Sequence, residues 1–438
     1  MRGRYRLLAV PTAPRARSTA AYLASRVRFG IKLGLETMRA LAEALGGPER
    51  AYPTLLVAGT NGKGSVVAYV DAALRAAGLR VGRYTSPHLV RIHERIAVDD
   101  RLVSDAALDR AVGRVRRAAE GLVAAGVIPA HPTYFETLTA AALDHFRRAG
   151  VDVAVLEVGM GGRLDATNVA EPLASAIVSL ARDHEGFLGR SLAAIAREKA
   201  GVLRPGRSTV LGPMAPSARR AIEREAEARG ARLVDARDRA TIAGGAERIE
   251  VITPHGRYTG VRPLPGRHQR DNALVALRLL EEARAAGLRF DRRAAARGLS
   301  SARWPGRLQW IPGDPPLLLD GAHNPAGARA LAAYLRGFPP FVLVFGAMAD
   351  KDVGAMARRL FPLADAVVLT EPPLDRAASP AEVARRAGAL SRRAWKQKDV
   401  GRALALARKL ARGRPVVVAG SLYLVGDVLR RLGLSTWR

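Results

Sequence analysis

The chain has 438 residues, 48% of them apolar, and carries 70 Lys and Arg against 40 Asp and Glu, a formal charge of +30. That length predicts two or more domains, and no run approaches the ~20 uninterrupted apolar residues of a membrane helix. Cysteine is absent, which excludes disulfides and thiolate metal sites and makes the cytoplasm the expected compartment; the basic first residues lack a signal peptide's apolar core.

In chain order, short apolar strands alternate with longer amphipathic helices, the pattern of an α/β protein with a mostly parallel sheet. Residues 54–58 read as a buried strand, followed by a Gly-rich turn and a helix over 64–77. A strand over 80–84, helices over 106–125 and 135–149, and a strand over 151–156 come next. Residues 174–180 read as a strand, 192–200 as a helix, 248–258 as a hairpin and 272–285 as a helix. A polar stretch over 289–301 leads to Trp304-Pro305-Gly306-Arg307, where Pro and Gly punctuate the pattern. We therefore expect a first domain over residues 1–300 and a smaller one over 301–438. In the second, strands at 317–319, 341–345, 366–369 and 415–419 alternate with helices at 326–336, 353–360, 381–387, 402–411 and 422–432.

Gly59-Thr60-Asn61-Gly62-Lys63-Gly64-Ser65 sits between the first strand and its helix. Glycines there let backbone N–H groups turn inward, and the helix N-terminus favours an anion. Lys63 would reach the β- and γ-phosphates of ATP, and the Ser65 hydroxyl would join a Mg²⁺ shell. The loop departs from G-x-x-x-x-G-K-[ST]: Val57 holds the first Gly position and Gly64 separates Lys63 from Ser65. Only seven of the 70 basic residues are lysines (32, 63, 199, 351, 396, 398 and 409), which makes each worth inspecting, since only lysine offers a compact ammonium or a nucleophilic amine. A second acid-and-glycine block begins at Glu157, where a buried strand ends and ligands of α/β sheets gather. Gly159, Gly161 and Gly162 follow it and permit close backbone approach.

The phosphate loop resembles that of the folylpolyglutamate synthase/dihydrofolate synthase family of Mur ligases, and further blocks resemble the family in the same order. They are Tyr84-Thr85-Ser86-Pro87-His88, the stretch from Leu156 to Asn168, Asp183-His184, Arg197-Glu198-Lys199, Gly266 to Asn272, Trp304 to Arg307, and Leu319 to Pro325. Phe345 to Asp352 and Ala419 to Tyr423 complete the set. The resemblance implies a P-loop-type ATPase domain followed by a Rossmann-like ligase domain. It makes Thr60, Asn61, Gly62, Lys63, Gly64, Ser65, Asn272, Arg307 and Asp320 nucleotide contacts, with Arg307 and His323 acting at the phosphates from the second domain. Ser65, Ser86, Glu157 and His184 become Mg²⁺ ligands, although Glu185 and Gly186 stand where the family usually reads Thr-Glu. Lys199 occupies a position carbamylated in related ligases, the alternative being an ordinary helix lysine. Leu33, Gly34, Leu35, Thr133, Tyr134, Phe135, Glu136, Leu164, Asp165 and Ala166 resemble segments that contact the folate or pteroate; Tyr134 and Phe135 read equally well as core.

The implied reaction is ATP-dependent joining of L-glutamate to dihydropteroate or a folate (poly)glutamate through an acyl phosphate, by a monomer in the family's usual form. One alternative is a cell-wall Mur ligase, against which Gly64 and Leu33-Gly34-Leu35 speak. The other is a basic nucleic-acid-binding NTPase, which only the net charge favours, since aromatics are 5% and no basic-aromatic stripe is present. No nucleic-acid or membrane partner is expected.

Overall fold

A computed structural model describes residues 18–27, 34–189, 191–245 and 247–437. The first sheet is built from β1 (Thr54–Ala58), β2 (Val81–Tyr84), β3 (Ile96–Val98), β4 (Arg101–Leu102), β5 (Val153–Glu157), β6 (Ala174–Ile177), β7 (Ser208–Leu211) and β8 (Arg232–Asp235). Their spatial order is β4-β3-β2-β5-β1-β6-β7-β8. From β2 to β8 neighbours run parallel, while β3 and β4 add an antiparallel edge. Every residue of β1 and β5 is buried, as a strand covered on both faces requires. Helices cover those faces, with Leu56, Leu138 and Phe146 in one core and Leu55, Tyr69 and Leu274 in the other.

A three-stranded antiparallel sheet follows: β9 (Thr241–Gly244), β10 (Ile249–Thr253) and β11 (Gly256–Val261), ordered β11-β10-β9. It extends the expected hairpin by one strand. The polar stretch over 289–301, where the sequence pattern places no element, holds a helix, Arg292–Gly298. Asp291 caps it by accepting the Ala294 N–H at 2.6 Å. Its buried face is only Ala295 and Gly298, too small to produce an apolar period. A Cβ on Gly298 would lie 2.6 Å from the Ala72 carbonyl oxygen, so helix Lys63–Ala76 approaches at backbone distance.

The last sheet comprises β12 (Gln309–Ile311), β13 (Leu317–Leu319), β14 (Val342–Phe345), β15 (Ala366–Leu369), β16 (Trp395–Lys396) and β17 (Val416–Ala419), ordered β12-β13-β17-β14-β15-β16. Only β12 is antiparallel. Its faces are buried separately, one around Leu343 and Phe345 and the other around Val344 and Leu424. Among the described residues no helix is long and apolar enough to cross a membrane.

Candidate active site

Parallel strands end on the same side, so each sheet gathers its functional loops at one edge. Here both edges open on one cavity of about 1890 Å³, lined from the first sheet by the loops after β1, β2, β5 and β6 and from the last by those after β13, β14 and β17.

The phosphate loop is sewn to the segment after β6. Thr60 N donates to the Ser179 carbonyl at 2.8 Å, Asn61 N to Ser179 Oγ at 3.1 Å, and Ser179 Oγ to the Asn61 carbonyl at 2.9 Å. Gly62 takes φ +84°, and a Cβ there would lie 2.6 Å from Asn272 Oδ1; both backbone and neighbour demand glycine. Lys63 opens the helix one residue earlier than expected and donates to the Thr60 carbonyl at a long 3.4 Å. Ser65 Oγ accepts from Gln269 Nε2 at 3.1 Å, and Gln269 Oε1 accepts from Asn272 Nδ2 at 2.9 Å.

Glu157 ends β5 almost fully buried and accepts the Ser86 backbone N–H at 3.1 Å, which joins the two strand-end loops. Burial raises its pKa, and the charges of Lys63, Arg307 and Arg95 act in the opposite sense. Lys63 and Glu157 therefore face the same space. His184 has φ +52°, a rare conformation for histidine; burial lowers its pKa to about 4, leaving a neutral imidazole at pH 7. Lys199 is buried and donates to the Gly59 carbonyl at 2.8 Å. Burial, with Lys63 nearby, lowers its pKa to about 7. It is not the solvated helix lysine of the alternative reading.

From the last sheet, Arg307 has its pKa lowered by burial, with the charges of Asp320 and Glu157 acting in the opposite sense. The Asp320 carboxylate is taken up by the backbone N–H groups of Leu308 and Ala322 at 3.0 and 2.9 Å, so it shapes the Arg307 turn. His323 Nδ1 pairs with the Gly321 carbonyl at 2.9 Å, and Nε2 lies 3.6 Å from Asp183 Oδ2. Asp183 is the hub between the two sheets: Lys351 Nζ donates to Oδ1 at 2.6 Å and Asn324 Nδ2 to Oδ2 at 3.0 Å. Asn324 also exchanges amide hydrogen bonds with Asn61 at 3.0 and 3.2 Å.

Of the segments expected to meet the acceptor, Gly34, Thr133, Phe135, Glu136, Leu164, Asp165 and Ala166 line the cavity. Two expectations need correction. Leu35 is buried at the start of helix Glu36–Ala44, and Tyr134 lies beneath Arg95, with the guanidinium carbon 5.5 Å from its ring centroid; neither lines the cavity. Leu33 lies outside the described residues. Thr133 and Glu136 form a reciprocal cap on helix Tyr134–Ala149, and buried Glu136 Oε1 has no hydrogen-bond partner. The Asp165 carboxylate accepts from Met160 N, Thr167 N and Thr167 Oγ1, so it holds its own glycine loop in shape.

Sequence reasoning gave no individual role to Arg95, Arg376 or Tyr423, which also line the cavity, although Arg95 and Tyr423 stand in blocks that resemble the family. Arg95 is 7% exposed, and its Nε donates to His88 Nδ1 at 2.9 Å. The only available signal was its place beside Glu94 after the Ser86 loop.

The sequence pattern of the Mur ligase middle domain matches residues 57–280, and that of the Mur ligase glutamate ligase domain matches residues 306–422. The dihydrofolate synthase/folylpolyglutamate synthase of Bacillus subtilis is 34% identical, with 94% of this chain and 98% of that relative covered. This chain belongs to the folylpolyglutamate synthase/dihydrofolate synthase family. A probable bifunctional folylpolyglutamate synthase/dihydropteroate synthase of Halobacterium salinarum is 41% identical over 94% of this chain, which spans 51% of that relative's length. Among solved structures, Mycobacterium tuberculosis folylpolyglutamate synthase complexed with ADP matches with a TM-score of 0.87 and 32% identity, covering 95% of this chain and 98% of that one. A bifunctional member of the family with Mn, AMPPNP and L-glutamate bound matches with a TM-score of 0.84 and 33% identity, covering 95% and 98%.

Proposed function

We propose that this chain joins the amino group of L-glutamate to the carboxylate of dihydropteroate or of a tetrahydrofolate (poly)glutamate, with ATP cleaved to ADP and phosphate. The observation that carries this reading is the convergence of Lys63, Glu157 and His184 from one sheet with Arg307 and His323 from another on one cavity. Residues 1–300 then supply the phosphate loop and metal donors, and residues 301–438 supply the cations that close over them.

A carboxylate resists attack by an amine because oxide is a poor leaving group. Transfer of the γ-phosphoryl group to one carboxylate oxygen gives an acyl phosphate; the amine then attacks the carbonyl carbon, and phosphate leaves with the electron pair of the broken C–O bond. Phosphoryl transfer rests mostly on positioning and charge neutralisation. Lys63 and Arg307 approach from opposite walls and neutralise the transferring group. Asn272, Gln269 and the loop backbone hold the nucleotide, and Phe135, Leu164 and Ala166 offer the acceptor's flat ring an apolar bed. Closure between the two sheets excludes water, which protects the acyl phosphate from hydrolysis.

The residues fit a divalent cation. Glu157 is a buried carboxylate whose pKa burial has raised, a deficit that a cation would relieve. Among the described residues no three Asp, Glu or His side chains gather into a cage, and Mg²⁺ is content with one or two carboxylates plus phosphate and water. Ser65, Ser86, Glu157 and His184 would hold it, and it would supply charge at the β- and γ-phosphates. Lys199, partly neutral near pH 7, can add CO₂ and release one proton to give a carbamate beside the loop; only an unprotonated amine does this.

The deciding assay offers ATP, Mg²⁺ and glutamate with dihydropteroate and with tetrahydrofolate in separate reactions. Glutamate-dependent phosphate release with at least one acceptor is expected; none with either would remove the reading. Acceptor labelled with ¹⁸O in its carboxylate should pass label to the released phosphate, and unlabelled phosphate would exclude the acyl phosphate.

A further inference from the structure

Gly64 stands where phosphate loops usually place Ser or Thr, and another residue occupies the space. A Cβ on Gly64 would lie 2.6 Å from Trp304 Nε1 and 2.7 Å from Cε2. The indole of the Trp-Pro-Gly-Arg turn therefore rests on the first turn of helix Lys63–Ala76. Trp304 meets Trp437 edge-on, with centroids 5.7 Å apart and planes at 67°. Both rings cover Arg83, whose guanidinium carbon lies 4.1 Å from the Trp437 centroid and 5.6 Å from that of Trp304. Arg83 is 1% exposed and faces Asp100 at 3.3 Å and Asp71 at 4.0 Å, yet Nε and Nη2 make no hydrogen bond. An aromatic face is the partner that a buried guanidinium short of acceptors can still use.

The neighbouring residue makes a parallel contact. Thr436 Oγ1 donates to Glu94 Oε1 at 2.7 Å. The Glu94 carboxylate also collects the N–H groups of Leu89, Val90 and Arg91 at 2.7 to 3.0 Å, and so shapes the loop that begins at Ser86. Two adjacent residues thus reach the two loops that would contact ATP, one through Trp304 and Gly64 and the other through Glu94.

We infer that Thr436 and Trp437 form a clasp that sets the phosphate loop and the Ser86 loop in their nucleotide-binding positions. The inference rests on the reading of this cavity as an ATP site, and assigns to it positioning residues that touch no substrate. A chain without the clasp populates the binding-competent arrangement less, and its apparent ATP affinity falls by that fraction. Turnover at saturating ATP is preserved.

The test compares the full chain with Trp437→Ala, Trp437→Phe and Thr436→Val, measuring KM for ATP, kcat, and the melting temperature without nucleotide. Trp437→Ala should raise KM for ATP about tenfold with kcat within about twofold. Trp437→Phe, which keeps an aromatic face over Arg83, should recover most of that loss, and Thr436→Val should give a smaller rise. An unchanged KM in Trp437→Ala overturns the clasp. So does a fall in melting temperature with a parallel loss of kcat that Trp437→Phe does not rescue, because that describes packing alone. If the unaltered chain shows no ATP-dependent turnover, the active-site reading falls first and the clasp with it.

Discussion

Lys63 donates to the Thr60 carbonyl at 3.4 Å, a long bond that a phosphate oxygen would replace. Lys63→Ala should lower kcat/KM by ~10³-fold or more, as loss of a cation at a transferring phosphoryl group does elsewhere, read by phosphate release. Lys199 lends itself to a pH experiment. Its pKa is lowered from 10.5 to about 7, so below pH 7 the ammonium is present folded and unfolded alike. Between pH 7 and 10.5 the folded chain has lost a proton that the unfolded chain keeps, and Lys199's contribution to stability rises with pH. The free amine also becomes available to CO₂ across the lower part of that window. With ¹³C-bicarbonate, the carbamate carbon signal should grow between about pH 6 and 8; Lys199→Arg should show no signal and lose about 100-fold in activity. Lys63, Glu157 and His184 were legible because each follows a buried strand whose apolar run is visible in the sequence. Arg95 stood out only as part of a matching block, because what singles it out is burial beside a cavity that only the folded loops create.

Most of the expected strands appear within a residue or two of their bounds, since a strand covered on both faces has no other way to be buried; the one expected over 174–180 ends at Ile177. Helix Arg292–Gly298 escaped because Ala and Gly make its contact, and a small-residue face carries no apolar period. The same kind of contact governs the Ser86 loop. A Cβ on Gly426 would overlap the Leu89 carbonyl, and one on Gly306 would lie 3.2 Å from Leu89 Cδ1, so helix Leu422–Arg431 receives that loop at backbone distance. Gly426→Ala, which on helix propensity alone would stabilise by up to ~1 kcal/mol, should instead destabilise by ~1–3 kcal/mol. Chemical denaturation would check the sign, and unchanged or higher stability would show that the loop moves aside at no cost.

Across the whole molecule the two large sheets are joined by a buried ion pair, Asp183 to Lys351 at 2.6 Å, with Asn324 and Asn61 completing the hub. Burial pulls the Asp183 pKa up, but the His323 imidazole 3.6 Å away and the Lys351 ammonium outweigh it and hold the carboxyl below its usual range. Removing Lys351 leaves the buried Asp183 carboxylate without its ammonium, with the Asn324 amide still donating to it. Lys351→Met should cost ~3–5 kcal/mol, whereas Asp183→Asn with Lys351→Met should recover much of that in equilibrium unfolding. Additive losses would show that the pair is not coupled. Nothing in local pattern foretold this pairing, which spans 168 positions and exists only once both strand edges face each other.

Three of the chain's seven lysines, Lys63, Lys199 and Lys351, line that one cavity. A protein whose basic side chains are nearly all arginine offers amine-directed reagents few decoys, so a mass tag for primary amines becomes a reporter of the catalytic chamber, and shielding of those three positions by bound nucleotide could be followed peptide by peptide.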